Sequence, residues 1–199
     1  VFDIAGNDAL NQSTTPKTLP DRSAPTISNI AVNGVSNGQV WKKQGDVVTI
    51  TFNIVEVSGI QGNPDVVLTD QSSNTYYPVY QSVSGTGTIA NPYLYTYTYN
   101  VGAGNTTMNI TVSATDNNNF TGNASLNNAF TVDNIAPEVQ SITRNPVTNG
   151  SNYITNDDVV SFTVVFSEPV TGFDNSKVTL NTTGTVNNPS ITVTQNTPS

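Results

Sequence analysis

Thr131-Val-Asp-Asn-Ile-Ala-Pro-Glu-Val139 decides how this chain is read, because it has a twin at Asp21-Arg-Ser-Ala-Pro-Thr-Ile27. Aligning Pro25 with Pro137 sets an offset of 137 − 25 = 112 residues. At that offset the matches continue without a gap. Gly38 meets Gly150, Trp41 meets Tyr153, and Asp46-Val47-Val48 meets Asp158-Val159-Val160. Glu56 meets Glu168, while Val66 and Leu68 meet Val178 and Leu180. Correspondence at one fixed period over about fifty positions marks an internal repeat. The Asp…Ala-Pro segment punctuates it. Proline carries no amide N–H and biases its predecessor towards extended backbone, which suits a stiff junction between sheets.

A period of 112 is the size of a single domain. The sequence therefore predicts one whole unit over 22–133. Residues 1–21 read as the C-terminal part of a preceding unit, and 134–199 as the N-terminal part of a following one. On this reading the segment belongs to a longer array.

Hydrophobic residues make up 35% of the chain and charged residues only 10%, with a net charge of −8. A disordered acidic chain would lack the alternating Val, Ile, Phe and Tyr present here. Nucleic acid is a poor partner for such a surface, since phosphate binding needs clustered Lys and Arg and the only basic pair is Lys42-Lys43. Cysteine is absent, so neither disulfides nor thiolate sites hold the fold. Histidine is absent too. Ser-His-Asp and Cys-His arrangements cannot be built without these residues, and the reading is non-catalytic. No stretch is long and apolar enough to enter a membrane directly.

No window places apolar residues at the three-and-four spacing of a helix; period two recurs instead. Strands are predicted at 26–32, 46–55, 65–69, 76–83, 93–101, 108–114 and 129–132. In the second, Val48, Ile50, Phe52 and Ile54 share one face, and Val160, Phe162, Val164 and Phe166 repeat that face one period later. One dry and one wet face is the mark of an antiparallel sandwich. Tyr93, Tyr95, Tyr97 and Tyr99 share a face that continues to Val101, so they are expected inside rather than as a carbohydrate-stacking platform. Trp41, aligned with Tyr153, is expected to plug one end of the domain. Asp3-Ile-Ala-Gly-Asn7, Asn37-Gly38 and 116–123 read as turns. Seven short strands in about 110 residues is an immunoglobulin-like pattern. The fold class expected is thus all-β, with tandem immunoglobulin-like antiparallel β-sandwich repeats.

Several motifs also carry a resemblance. Thr115-Asp116 opens a turn that ends at Gly122-Asn123, followed by Val132-Asp133 and Ala136-Pro137. Phe166-Ser-Glu-Pro-Val-Thr-Gly172 and Lys177-Val-Thr-Leu180 follow in turn. Together with Asp3-Ile-Ala-Gly-Asn7 they resemble the bacterial immunoglobulin-like repeats of giant surface adhesins, of the biofilm-associated and gliding-adhesin kind. That resemblance implies an extracellular, cell-surface stalk or filament that presents an adhesive tip. Its partners would be neighbouring repeats and, through the tip or the loops, polysaccharide or a host surface. Two alternatives stand beside it: a module that grips polysaccharide directly, and an accessory domain of a secreted carbohydrate-active enzyme.

The acidic residues suggest a site. In a seven-strand sandwich the loops after the second and sixth strands lie where the chain enters, which would gather Asp21, Glu56 and Asp116. Asp133 and Glu168 would begin the same arrangement in the next unit. Calcium takes six to eight oxygen ligands, and three carboxylates with Asn117, Asn118 or Asn123 and main-chain carbonyls could supply them. The junction Asp133-Asn134-Ile-Ala-Pro137 is similar to calcium-binding cadherin linkers. The competing reading is that Asp and Asn merely cap turns, with Glu56 bonding linker amides. Lys42 and Lys43 align with Ile154 and Thr155. An isopeptide crosslink there would not be a repeated feature, and exposed lysine is ordinary use.

Overall fold

The computed structural model describes residues 21–33, 40–145, 160–184 and 190–194. The expected turns at Asp3–Asn7 and Asn37-Gly38, and Tyr153, lie outside the described residues. The described residues fall into two compact units, divided between Asn134 and Ile135. They are all-β, with one 3-10 turn at Asn175–Lys177. Among them no helix is long and apolar enough to cross a membrane.

In the first unit, nine strands form two sheets. They are β1 (Thr26–Val32), β2 (Trp41–Lys42), β3 (Val47–Val55), β4 (Asp65–Thr69), β5 (Thr75–Tyr76), β6 (Val79–Ser84), β7 (Tyr93–Asn100), β8 (Thr106–Thr115) and β9 (Thr121–Val132). One sheet runs β1-β3-β7-β6 and the other β2-β9-β8-β4-β5. All pairs are antiparallel except β2 with β9.

Period-two alternation explains why these two sheets close on each other. Along β3, Val48, Ile50, Phe52 and Ile54 are all fully buried, while Thr49, Thr51 and Asn53 between them are half-buried. Across from them Val66, Leu68, Met108, Ile110, Val112, Phe130 and Val132 supply the second wall. Each such side chain contributes roughly 1.5–3 kcal/mol when taken from water, so the shared core dominates the unit's stability. The tyrosine stripe faces inward as expected: Tyr95 and Tyr97 are buried, with Tyr93 and Tyr99 packed at the margins. Burial is also the main reason the Tyr97 phenol is pushed well above its ordinary pKa. Its hydroxyl donates to the buried Pro64 carbonyl at 2.6 Å. Tyr97→Phe strands that acceptor, and a loss of about 1–3 kcal/mol in urea unfolding is the expected result. An unchanged midpoint would rule the bond out as a support.

Three local readings are corrected. The strand expected at 76–83 is two strands in different sheets, and the chain changes sheet at Tyr77-Pro78. Proline has no N–H to offer a ladder, so pairing breaks there. The polar turn expected over 116–123 ends earlier, and β9 begins at Thr121. A shift in β8–β9 pairing between Met108 and Ile110 lets β9 run on to Val132, with Asn128 in the left-handed region (φ 52°) and its N–H on Asn109 Oδ1. Trp41 is not a plug. It lies on the short edge strand β2, opposite Thr131, and is 63% exposed.

The second unit repeats the first pairing in sequence register. Here β10 (Val139–Arg144) pairs with β11 (Phe162–Phe166). Adding 112 to both members of Ile27–Ile54, Ala31–Thr51 and Val32–Ile50 gives Val139–Phe166, Thr143–Thr163 and Arg144–Phe162, all of them observed pairs. The bond from Asn33 N–H to Thr49 O has the same translate, Asn145 N–H to Ser161 O. Each pair also carries an irregularity, after Ser28 in one and, one position earlier in register, after Val139 in the other. Phe162, the counterpart of the fully buried Ile50, is 55% exposed, and β11 has a strand partner on one side only among the described residues.

Candidate functional site: an acidic cluster at the incoming end of the first unit

Pairing brings three carboxylates together. Thr26 lies opposite Val55, so the segment ahead of β1 runs beside the residues that follow β3, and Asp21 comes near Glu56. A bridge between Ile60 and Asp116 ties the loop after β3 to the turn after β8. The result is one group in which a ligand oxygen from each of Asp21, Glu56 and Asp116 lies within 4.8 Å of the others. It is the only group of three or more such residues among the described residues.

The two loops are zipped to each other. Gln61 N–H donates to Thr115 O at 2.8 Å and Asn117 N–H to Gly59 O at 3.2 Å. Asn117 Nδ2 donates to Ser58 O at 2.6 Å, and Gln61 Nε2 to Asn119 Oδ1 at 3.0 Å. Gly59 is needed in this zip: its φ is 87°, and a Cβ there would press on the Asn117 amide. Glu56 is held in turn by its N–H on Gly87 O at 2.8 Å.

Within the cluster the carboxylate oxygens divide their work. Asp116 is fully buried, and its Oδ1 accepts from Asn118 N–H and Phe120 N–H, both at 2.8 Å. Its Oδ2 is buried without a hydrogen-bond partner. Asp21 repeats the pattern: Oδ1 accepts from the Ser23 hydroxyl and N–H, while Oδ2 is buried and unpartnered. Ser23's hydroxyl, then its amide, hold the Asp21 carboxyl below its ordinary pKa. Glu56 Oε1 accepts from Ser58 N–H at 2.7 Å, so it bonds its own loop and not the linker amides. The Ser58 hydroxyl oxygen is a third buried, unpartnered atom nearby.

Asp70 provides the contrast. It too is buried in a turn, but Oδ1 accepts from Ser72 and Asn74 N–H, and Oδ2 from Asn74 Nδ2 and Tyr76 OH. Turn capping accounts for all of Asp70 and for only half of Asp116. Leaving a buried carboxylate oxygen unpaired is costly, and a divalent cation is the compensation that three hard oxygen donors fit.

The other expected ligands are placed differently. Asn117 spends its amide on Ser58 O, Asn118 contributes a backbone N–H, and Asn123 is exposed within β9. Asp133 is half-buried after β9, its N–H on Lys42 O. Glu168 is half-buried in the second unit, beyond β11. The expectation for both concerns the following unit, and neither is among the three carboxylates grouped here. Sequence reasoning missed two residues that matter here. Ser58 carries no signal at all. Gly122 was read only as a turn ending, yet a Cβ on it would collide with the carbonyl of the buried Pro25.

Comparison of the chain with family models, with curated proteins and with solved structures finds no match.

Proposed function

We propose that this chain is a run of immunoglobulin-like repeats from a non-catalytic, extracellular stalk of a bacterial surface adhesin, with Ca2+ held by Asp21, Glu56 and Asp116. The observation that carries the reading is the strand register of β1–β3, which recurs in β10–β11 after 112 residues. Repetition of pairing, beyond repetition of sequence, is what an array of like units needs. Lettered in chain order, β1, β3, β7 and β6 take the places A, B, E and D, and β4, β8 and β9 take C, F and G. This is the strand order of an immunoglobulin sandwich, and it supports that finer fold reading. The inward tyrosines take away the most obvious glycan platform, which favours spacing over direct grip. Ca2+ would neutralise three gathered negative charges and fasten the incoming segment to the end of the sandwich.

A stalk makes a measurable claim about length. Polypeptides of two, four and six consecutive units are expected to show a maximum dimension, by small-angle X-ray scattering, that grows linearly by about 35 Å per unit, the rise of a ten-residue strand. Growth that flattens with unit number would mean the units collapse on one another and would end the stalk reading.

A further inference from the structure

We infer that the cation is a latch on the incoming segment 21–25, and that Gly122 is the positioning residue that lets the latch close; this rests on the calcium reading of the cluster. The three ligands are not held alike. Glu56 and Asp116 sit on loops already fastened to each other by the Ile60–Asp116 bridge and the bonds of Asn117 and Gln61. Asp21 sits on a segment ahead of β1, and β1 is an edge strand whose only sheet neighbour is β3. The strongest partner of the Asp21 side chain is Ser23, inside its own turn, and its weaker partners across the gap, Glu56 and Ser58, belong to the cluster itself. What seats it is Pro25, buried with its carbonyl over Gly122 at the start of β9.

Two ligands are therefore preformed and the third arrives with the chain. Cation affinity then includes the free energy of docking 21–25, and docking is strengthened by the cation to the same degree. Without a cation, like charge works against closure; with one, the edge of the sandwich is tied across three elements. Anything that draws the segment away, tension along the chain included, would weaken binding. A side chain at Gly122 does so from inside, because it touches no ligand but lifts Pro25.

The test uses the full chain. Calcium titration by calorimetry is expected to show binding to the unsubstituted protein. Hydrogen exchange at the amides of 21–28 should slow at least tenfold on saturation, while the interior amides of β8 change little. In Gly122→Ala the calcium dissociation constant should rise tenfold or more, with the melting temperature in chelator within a few degrees of the parent. A merely structural role would weaken binding and lower the melting temperature together. Calcium that binds the parent chain without slowing exchange at 21–28 overturns the latch and leaves the site standing. So does a Gly122→Ala protein that binds as the parent does. Absence of binding to the parent chain overturns both. The exchange measurement on the parent chain decides even where Gly122→Ala fails to fold.

Discussion

Phe52→Ala is expected to lower the unfolding free energy of the first unit by about 3–5 kcal/mol, the range for deleting a buried aromatic ring. Phe52 has no exposed surface, and its ring stacks on Tyr95 at 5.5 Å and Tyr97 at 5.7 Å. These contacts join neighbouring strands β3 and β7 on the inner face, where the second sheet closes over them. A domain holds only about 5–15 kcal/mol in all, so one substitution removes a large share. No disulfide restricts the unfolded chain to offset that loss. Leu94→Ala is the control. Leu94 is on the same strand as Tyr95 but faces outward, 42% exposed, and its loss should cost under about 1 kcal/mol. Urea denaturation of both proteins makes the comparison. Similar losses for the two would contradict a core built on one face of β7.

Asp116→Asn is expected to reverse its effect with calcium. Asparagine keeps an Oδ1 for the N–H groups of Asn118 and Phe120, so the turn survives. In chelator the substitution removes one of three charges crowded within 4.8 Å, on a residue with no access to water. The variant should therefore melt at or above the parent. In calcium at a hundred times its dissociation constant the parent gains about 2.7 kcal/mol. For a unit of this size that is a rise of roughly 10 °C, and the variant should forgo most of it. The two melting curves thus change order between chelator and calcium. A parent protein whose melting temperature ignores calcium would remove the cation from the account and leave the cluster as an unpaired acidic turn.

The two effects also show what could be read in advance. Phe52 was legible because alternation is a local property: a residue two places from its like-faced neighbour points the same way whatever the sheet order. The repeat was legible for a similar reason, since an offset is a comparison of the chain with itself. The gathering of Asp21, Glu56 and Asp116 was legible at the level of sheet ends, once sandwich order was assumed. It went no further. Nothing in the letters distinguishes Asp116, with one oxygen stranded, from Asp70, with every oxygen bonded. Both follow a strand and both open a polar turn.

Other features depended on partners distant in sequence. The crossing at Tyr77-Pro78 was hidden because both halves alternate in the same way, and only their neighbours differ: Leu68 for Tyr76, but Thr98 for Val79. Trp41, aligned with Tyr153, reads as a plug at the domain end, yet a two-residue edge strand beside Thr131 leaves it in water. Gly122 was legible as a small residue but not as a seat for Pro25, ninety-seven positions earlier (122 − 25 = 97). By itself, then, the sequence determined the β-period, the inward faces and the 112-residue spacing, all of which follow from stereochemistry within a few residues or from self-comparison. Tertiary structure alone decided which strands share a sheet, which carboxylate oxygen is left without a donor, and where the incoming chain is seated. Those depend on the packing of segments whose separation along the chain carries no local signal.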